Sequence, residues 1–150
     1  MVLTWKQKHF TELTVHELYG LFRLRLEVFS IEQHCAYQDA DGKDLDAWHL
    51  FAMDEKERVL ACSRILKAGV AFKEASIGRV IISSEIRGNG TGKDLMLRSM
   101  KLLEEKMGKV NVRIGAQCYL KKFYNDLGFF EEGKQYLEDD IPHIEMVKQA

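Results

Sequence analysis

The chain has 150 residues, of which 46% are hydrophobic and 30% charged, and its formal net charge is -1 at pH 7. This length and composition predict one globular domain over 1–150 that is soluble and cytoplasmic, because no apolar run approaches membrane-spanning length and no secretory segment is visible. The interspersed, balanced charge argues against nucleic acid as a partner, and three cysteines without paired metal-ligand spacing predict reduced thiols and no metal site.

The spacing of apolar residues predicts strands and helices that alternate along the chain. In chain order we expect a strand over 3–9, a helix capped by Thr14, a hairpin of 48–53 with 58–67, a strand over 76–82, a helix over 92–107, a strand over 110–116, a short helix over 119–127 and a hairpin of 130–137 with 143–148. Thr14 and Glu17 have the spacing of a capping box. The usual handedness of strand-helix-strand connections makes 76–82 and 110–116 parallel neighbours.

A basic, glycine-rich turn joins the strand over 76–82 to the helix that follows. Glycines let successive backbone N–H groups turn outward, and the start of the helix adds the positive end of its dipole. In open α/β sheets, ligands bind at this end of the strands. The turn therefore predicts a phosphate-binding site, with the candidate residues Arg87, Gly88, Asn89, Gly90, Thr91, Gly92 and Lys93.

Two common nucleotide motifs do not fit this turn. A nucleotide-triphosphate loop needs four residues between its first glycine and the Gly-Lys pair, whereas Gly88 and Gly92 are separated by three, and Asp94 stands where Ser or Thr would hold magnesium. The dinucleotide fingerprint needs two residues between its second and third glycines, whereas Gly90 and Gly92 have one between them. The pattern that remains is Arg87-x-x-Gly90-x-Gly92.

This pattern resembles the pyrophosphate loop of the GNAT N-acetyltransferases, which bind acetyl-coenzyme A. The segment 123–129, Phe-Tyr-Asn-Asp-Leu-Gly-Phe, is similar to the second signature of that family, a helix ending in Leu-Gly-Phe whose tyrosine faces the thioester sulfur. Further segments resemble the ElaA-type branch: Arg25-x-x-Val28-Phe29-x-x-Glu32-Gln33, Tyr37-x-Asp39-x-Asp41, Ser63-Arg64-Ile65-Leu66, Gly78-Arg79-Val80-Ile81, Gly115-Ala116-Gln117 and Ile141-Pro142-His143. One departure is Asp140, where the branch usually has glycine.

The resemblance implies an α/β acyl-CoA N-acyltransferase fold with a central mixed β-sheet flanked by helices. It implies acetyl-CoA as co-substrate, with the backbone of Val80, Ile81 and Ile82 along the pantetheine arm. Gln117 is a second departure, because many wider relatives have Asn there, and it is a candidate for cofactor contact. Tyr124 becomes the candidate general acid for the departing thiolate. Without the resemblance, Tyr124 and its aromatic neighbours are also consistent with core packing.

The general base and the acceptor-binding residues stay open at this point. A primary amine is an alkylammonium ion near neutral pH and must lose a proton before it can attack. Glu32, His49 and His143 are the candidate bases, with a water chain as the alternative. Arg25, Arg64 and Arg79, together with Glu32, are candidates for binding the acceptor substrate, because guanidinium groups pair with carboxylate or phosphate. The alternative is that the arginines are structural partners of nearby acids. The three acids Asp39, Asp41 and Asp44 do not complete a calcium loop, because Leu50 stands at its last ligand position.

The leading hypothesis is therefore an N-acetyltransferase that moves the acetyl group of acetyl-CoA to a primary amine by direct attack in a ternary complex. The alternatives are a non-catalytic acyl-CoA sensor and an acyltransferase with another acceptor or a longer acyl group. The acceptor is a small molecule or peptide in each enzymatic case, and a homodimer formed through a sheet edge is plausible.

Overall fold

The structure, a computed structural model, describes residues 1–150 and contains eight strands and three α-helices. In chain order they are β1 (Thr4–His9), α1 (Val15–Leu26), β2 (Trp48–Met53), β3 (Val59–Leu66), β4 (Ser76–Ile82), α2 (Thr91–Met107), β5 (Val112–Gln117), α3 (Lys121–Asp126), β6 (Phe130–Glu131), β7 (Tyr136–Glu138) and β8 (Ile141–Lys148). The predicted order of elements is confirmed, except that the strand expected over 130–137 is split into β6 and β7, which both pair with β8. None of the helices has the length and apolar character that crossing a membrane requires.

The strands form two antiparallel sheets, one with the order β1-β2-β3-β4 and one with the order β5-β8-β6, in which β7 also pairs with β8. A single parallel bridge between Ala75 and Val112 joins them. The predicted parallel neighbours are thus confirmed, but β4 and β5 pair only at this point. Because no ladder continues beyond it, the two strands diverge toward their C-terminal ends.

Helices cover both faces of the sheet. Helix α1 begins with the predicted capping box, in which the Thr14 hydroxyl accepts from the Glu17 N–H and the Glu17 carboxylate accepts from the Thr14 N–H. It packs on β2, β3 and β4, and the buried residues there are Leu21, Leu24, Val28, Phe51, Met53, Val59, Cys62 and Ile81. Helix α2 packs on the other face in the larger core that includes Leu95, Met96, Leu102, Ile65, Ile77 and Ile114. This two-sided packing is why every residue of β3 is buried.

Strand β4 contains a β-bulge at the place where it borders the divergence. Cys62 pairs with Ile81 and Arg64 pairs with Gly78, so two residues of β4, Arg79 and Val80, lie opposite one residue of β3. Arg79 has φ +49°, a conformation that few residues other than glycine adopt. The bulge and the divergence together leave backbone groups of β4 without a strand partner.

The turn between β7 and β8 has two residues, Asp139 with φ +51° and Asp140 with φ +62°, as in a type I′ hairpin turn. Left-handed backbone costs an ordinary residue energy that glycine does not lose. We expect Asp140→Gly to raise the free energy of unfolding by about 0.5 kcal/mol, measured by urea denaturation. Asp140→Asn is the control, because Asn tolerates this conformation as Asp does, and a Gly variant less stable than wild type would contradict the assignment.

Candidate active site

A cavity of about 810 Å³ occupies the divergence between β4 and β5. Its walls are the end of β4, the start of α2, the helix α3, the hairpin β7-β8 and a π-helical turn, Glu27–Glu32, that continues α1. π-Helical turns are uncommon and often occur at functional sites. The cavity therefore joins the glycine-rich turn at one end to the β7-β8 hairpin at the other.

The glycine-rich turn has the backbone that a phosphate cradle needs. Gly88 has φ +88° and Gly90 has φ +82°, and a Cβ at either position would meet no other atom within 4 Å, so the space above the turn is open. The turn leads directly into the first turn of α2, where Gly92 lies against Phe123 and Ile82. Asn89, Thr91 and Lys93 flank this path, and the cavity is lined by Arg87, Gly88 and Gly92.

Arg87 is partly exposed and connects the turn to two neighbouring elements. Its Nε donates to the Ile82 carbonyl at 2.9 Å, and its Nη2 donates to Glu32 Oε2 at 2.8 Å. Glu32 therefore lies at the cavity wall, as predicted, but its carboxylate is held by Arg87 of the glycine-rich turn.

Side chains at the end of β4 alternate between the two cores. Val80 and Ile82 are half-buried and pack toward α2 and α3, whereas Ile81 is buried under α1. All three line the cavity. On the side of β4 that faces β5, no ladder continues beyond the bridge between Ala75 and Val112.

Tyr124 lies on α3 at the cavity wall and is 7% exposed. Its ring packs edge to face against Phe123 at 5.1 Å and Phe129 at 6.1 Å, so the aromatic packing anticipated as an alternative does occur. Its hydroxyl makes no hydrogen bond within the protein and is not sealed from solvent. Burial, with a smaller contribution from Tyr119, raises the pKa of Tyr124 to about 12. The phenol is therefore protonated near neutral pH.

His143 lies on β8 opposite Gln117, the last residue of β5, and both line the cavity. The imidazole is 9% exposed and stacks on the Tyr136 ring, with centroids 5.7 Å apart. Its Nδ1 is 2.7 Å from the Ile141 carbonyl, and its Nε2 is 3.4 Å from Glu138 Oε2. Gln117 Nε2 also donates to Gln33 at 3.3 Å, which ties β5 to the segment after the π-helical turn.

The prediction that His49 reaches the cavity is wrong. His49 is 2% exposed, does not line the cavity, and its Nε2 donates to the Asp44 carbonyl at 3.0 Å. Burial lowers the pKa of His49, so the imidazole is a neutral structural donor. Its strand position is as predicted, but its side chain is turned toward the core under the loop that precedes β2.

The prediction that Arg25 binds substrate is also wrong. The Arg25 side chain is 2% exposed and does not line the cavity. Its Nε donates to Asp39 at 2.8 Å, and its Nη1 donates to Asp44 at 2.8 Å. Burial lowers the pKa of the guanidinium, but the hydrogen bond and charge of Asp44 outweigh this and raise it overall. Arg25 therefore anchors the loop after α1, which was the structural alternative.

Arg64 and Arg79 do line the cavity, although acids of the same loop hold both of them. Arg64 makes two bonds of 2.8 Å to Asp41, and Arg79 donates to Asp39 at 2.9 Å and to Asp41 at 3.4 Å. Burial raises the pKa of Asp41, but Arg64 and Arg79 outweigh it and hold that pKa well below its usual range. The three loop acids are thus occupied by guanidinium groups.

Two cavity residues, Tyr136 and Glu138, received no role from the sequence. They are two positions apart on β7, so they share the sheet face on which His143 lies, because Tyr136 pairs with His143. The available signal in the sequence was that side chains two positions apart on a strand share one face of the sheet. It could not be used without the register between β7 and β8, which the sequence leaves open.

Comparison with known proteins agrees with this architecture. A family model described as an acetyltransferase (GNAT) domain matches residues 8–150. Protein ElaA of Escherichia coli strain K12 is 39% identical over 151 aligned residues, covering 99% of this chain and 98% of that protein. The crystal structure of an acyl-CoA N-acyltransferase from Pseudomonas aeruginosa matches with a TM-score of 0.93 at 42% identity, covering 98% of this chain and 99% of that one.

The crystal structure of Escherichia coli ElaA matches with a TM-score of 0.92 at 37% identity, covering 99% of this chain and all of that one. The predicted acyl-CoA N-acyltransferase fold is therefore confirmed, with helices on both faces of a split sheet. On the family match and the near-complete alignment, the chain belongs to the GNAT acetyltransferase family and to its ElaA-type branch.

Proposed function

We propose that this protein transfers the acetyl group of acetyl-CoA to a primary amine by direct attack in a ternary complex. The observation that carries the proposal is one cavity that joins an open glycine turn to an unpaired tyrosine hydroxyl and an imidazole. Acyl transfer from a thioester needs a grip on the phosphates, a polarised carbonyl, a base for the amine and an acid for the thiolate. Each has a candidate in this cavity.

The residues at the glycine turn fit the pyrophosphate of coenzyme A. The backbone from Gly88 to Gly92 supplies N–H donors at the N-terminus of a 17-residue helix, which favours negative charge. Arg87 adds a cation, and Asn89, Thr91 and Lys93 add donors at the rim. Along the pantetheine arm, the unpaired edge of β4 offers backbone groups from Val80 to Ile82, which support an extended ligand by strand-like hydrogen bonds.

The thioester would be polarised, and the thiolate protonated, beside the bulge in β4 and near Tyr124. The bulge at Arg79 and Val80 turns an N–H out of the ladder, where it can polarise a thioester carbonyl. As the carbon–sulfur bond breaks, the Tyr124 hydroxyl can give its proton to the thiolate. With a pKa of about 12, the phenol keeps this proton until the thiolate forms.

Among the candidate bases, the geometry favours His143. Glu32 is held by Arg87, and His49 lies outside the cavity. His143 lines the cavity opposite Gln117, the last residue of β5. The chain continues from there into α3, which carries Tyr124. It can accept the proton of the attacking amine at Nε2, because Nδ1 is already engaged with the Ile141 carbonyl. Arg64 and Arg79 at the cavity floor would orient polar groups of the acceptor.

Calorimetric titration with acetyl-CoA tests the cofactor. We expect Arg87→Glu to weaken binding at least about tenfold, because a charge-assisted bond to phosphate is lost and a repulsive charge is introduced. Arg23→Glu is the matched control, since Arg23 is exposed on α1, forms no ion pair and lies outside the cavity. Equal binding by wild type and Arg87→Glu would exclude Arg87 from the phosphate site.

Release of free thiol in the presence of an amine panel tests the reaction. Thiol release with one class of amine would establish the transferase and its acceptor. Binding of acetyl-CoA with no thiol release from any amine would instead favour the non-catalytic acyl-CoA-binding alternative. A comparison of acetyl-CoA with longer acyl-CoA donors in the same assay decides the acyl group.

A further inference from the structure

We propose that Glu138 is a positioning residue that orients His143 and stabilises its protonated form during acyl transfer. The inference rests on the proposed function, in which His143 takes the proton of the acceptor amine. Glu138 and His143 are on adjacent strands of the β7-β8 hairpin at the rim of the cavity, and both line it.

Hydrogen bonding determines which ring nitrogen of His143 can act. A carbonyl oxygen only accepts hydrogen bonds, so the 2.7 Å contact between Nδ1 and the Ile141 carbonyl requires Nδ1 to carry the proton. In the neutral imidazole the lone pair is therefore on Nε2. This nitrogen is the one that approaches Glu138, and it is the atom available to a substrate proton.

His143 Nε2 lies 3.4 Å from Glu138 Oε2. Whether this contact is attractive depends on whether Nε2 carries a proton. With the neutral imidazole it places two acceptors side by side, so it gives no hydrogen bond. Once Nε2 holds a proton, it becomes a contact between imidazolium and carboxylate. Glu138 thus favours the state that forms when the amine loses its proton to His143.

The proton balance of the step is complete with these residues. The amine nitrogen forms a bond to the thioester carbon while its proton moves to His143 Nε2. The carbon–sulfur bond breaks, and the thiolate takes the proton of Tyr124. Water then returns Tyr124 and His143 to their starting protonation states through the open cavity, so amine and thioester become amide and thiol with no further reactant.

The hairpin holds Glu138 in register with His143. Glu138 pairs with Ile141 across the two-residue turn, and Tyr136 stacks on the imidazole from the same strand face. Gly115 of β5 makes room for this arrangement, because a Cβ there would come within 2.9 Å of the Tyr136 hydroxyl. Two strands and a glycine therefore fix the plane of the imidazole.

The other titratable groups near the pair are on five segments. They are Tyr136 on β7, Asp139 in the turn, Glu145 on β8, Cys118 after β5 and Cys35 after the π-helical turn. Burial, followed by Glu138, Glu145 and Cys118, raises the pKa of Tyr136, and burial, followed by Asp139 and Glu138, raises the pKa of Cys35. Both groups are therefore neutral at the working pH, and Glu138 is the acid in contact with Nε2.

The test compares kcat and acetyl-CoA binding in Glu138→Gln and wild type. We expect kcat to fall about fivefold while the Kd for acetyl-CoA stays unchanged, because the imidazolium that forms during the reaction loses its neighbouring carboxylate. A purely structural loss would lower binding and turnover together. Asp140→Asn is the matched control, since it removes a carboxylate of the same hairpin that does not line the cavity.

A double-mutant cycle with His143→Gln separates the two roles. If Glu138 acts through His143, adding Glu138→Gln to His143→Gln causes no further loss. An undiminished kcat in Glu138→Gln, or equal losses of kcat in both backgrounds, overturns the inference and leaves the proposed function intact. A wild-type protein that releases no thiol with any amine overturns the proposed function itself.

Discussion

Replacement of Tyr124 by phenylalanine is expected to lower kcat about 100-fold while changing the Kd for acetyl-CoA by no more than about twofold. The ring keeps its edge-to-face contacts with Phe123 and Phe129, so the fold and the cavity wall are preserved. Only the hydroxyl is lost, and with it the proton for the departing thiolate. A loss confined to kcat is what removal of an interaction made only in the transition state produces.

Steady-state thiol release and calorimetry with acetyl-CoA measure the two quantities separately. Tyr19→Phe is the matched control, because Tyr19 is 74% exposed on α1 and loses the same hydroxyl away from the cavity. An undiminished kcat in Tyr124→Phe would remove Tyr124 from the mechanism. A large rise in Kd with an unchanged kcat would show a binding role instead.

Replacement of Arg25 by methionine is expected to lower the free energy of unfolding by about 3–5 kcal/mol, as when one partner of a buried ion pair is removed. Arg25 is 2% exposed and makes hydrogen bonds to Asp39 and Asp44. Both carboxylates stay buried in the variant with fewer donors. Arg64 still donates to Asp44, and Arg79 still donates to Asp39. We therefore expect a destabilised native state and not a rearranged loop.

The role of Arg25 also predicts how the stability of the protein changes with pH. Burial raises the pKa of Asp44, but Arg25 and Arg64 outweigh burial and lower it overall. A carboxyl with a lowered native pKa stabilises the fold above about pH 4 and loses that contribution as the pH falls further. We therefore expect wild type to lose stability below about pH 4 and Arg25→Met to lose less.

Urea denaturation at pH 7 and at pH 3 measures both effects. Arg23→Met is the matched control, because Arg23 has the same chemistry two positions earlier in α1 but is exposed and unpaired. Equal stability of the Arg25 and Arg23 variants would contradict a structural role for the buried guanidinium. A steeper loss at low pH in Arg25→Met would contradict the assigned sign.

Features that depend on neighbouring residues in the chain were predictable. The capping box of Thr14 and Glu17 and the glycine turn before α2 follow from local backbone preferences and short-range hydrogen bonds. The hairpin of β2 and β3 and the strand-helix-strand unit follow from periodicity and handedness. The resemblance to the GNAT family rests on short motifs, the glycine turn and the segment 123–129 among them, and the family match confirms it.

Features that depend on which side chains face the cavity were only partly predictable. His49 and His143 both occur on strands, yet one side chain is buried under a loop and the other lines the cavity. Strand register decides this, and a shift of one residue reverses it. All three candidate arginines are held by the loop acids, but Arg25 lies outside the cavity, whereas Arg64 and Arg79 line it.

The sequence by itself determined the order of elements, the glycine turn and the family, because local backbone preferences and short motifs are enough to recognise each of them. Only the tertiary structure decided the bulge at Arg79, the divergence of β4 from β5 and the approach of Glu138 to His143. These features arise from pairing between distant strands, whose register is the outcome of packing over the whole core.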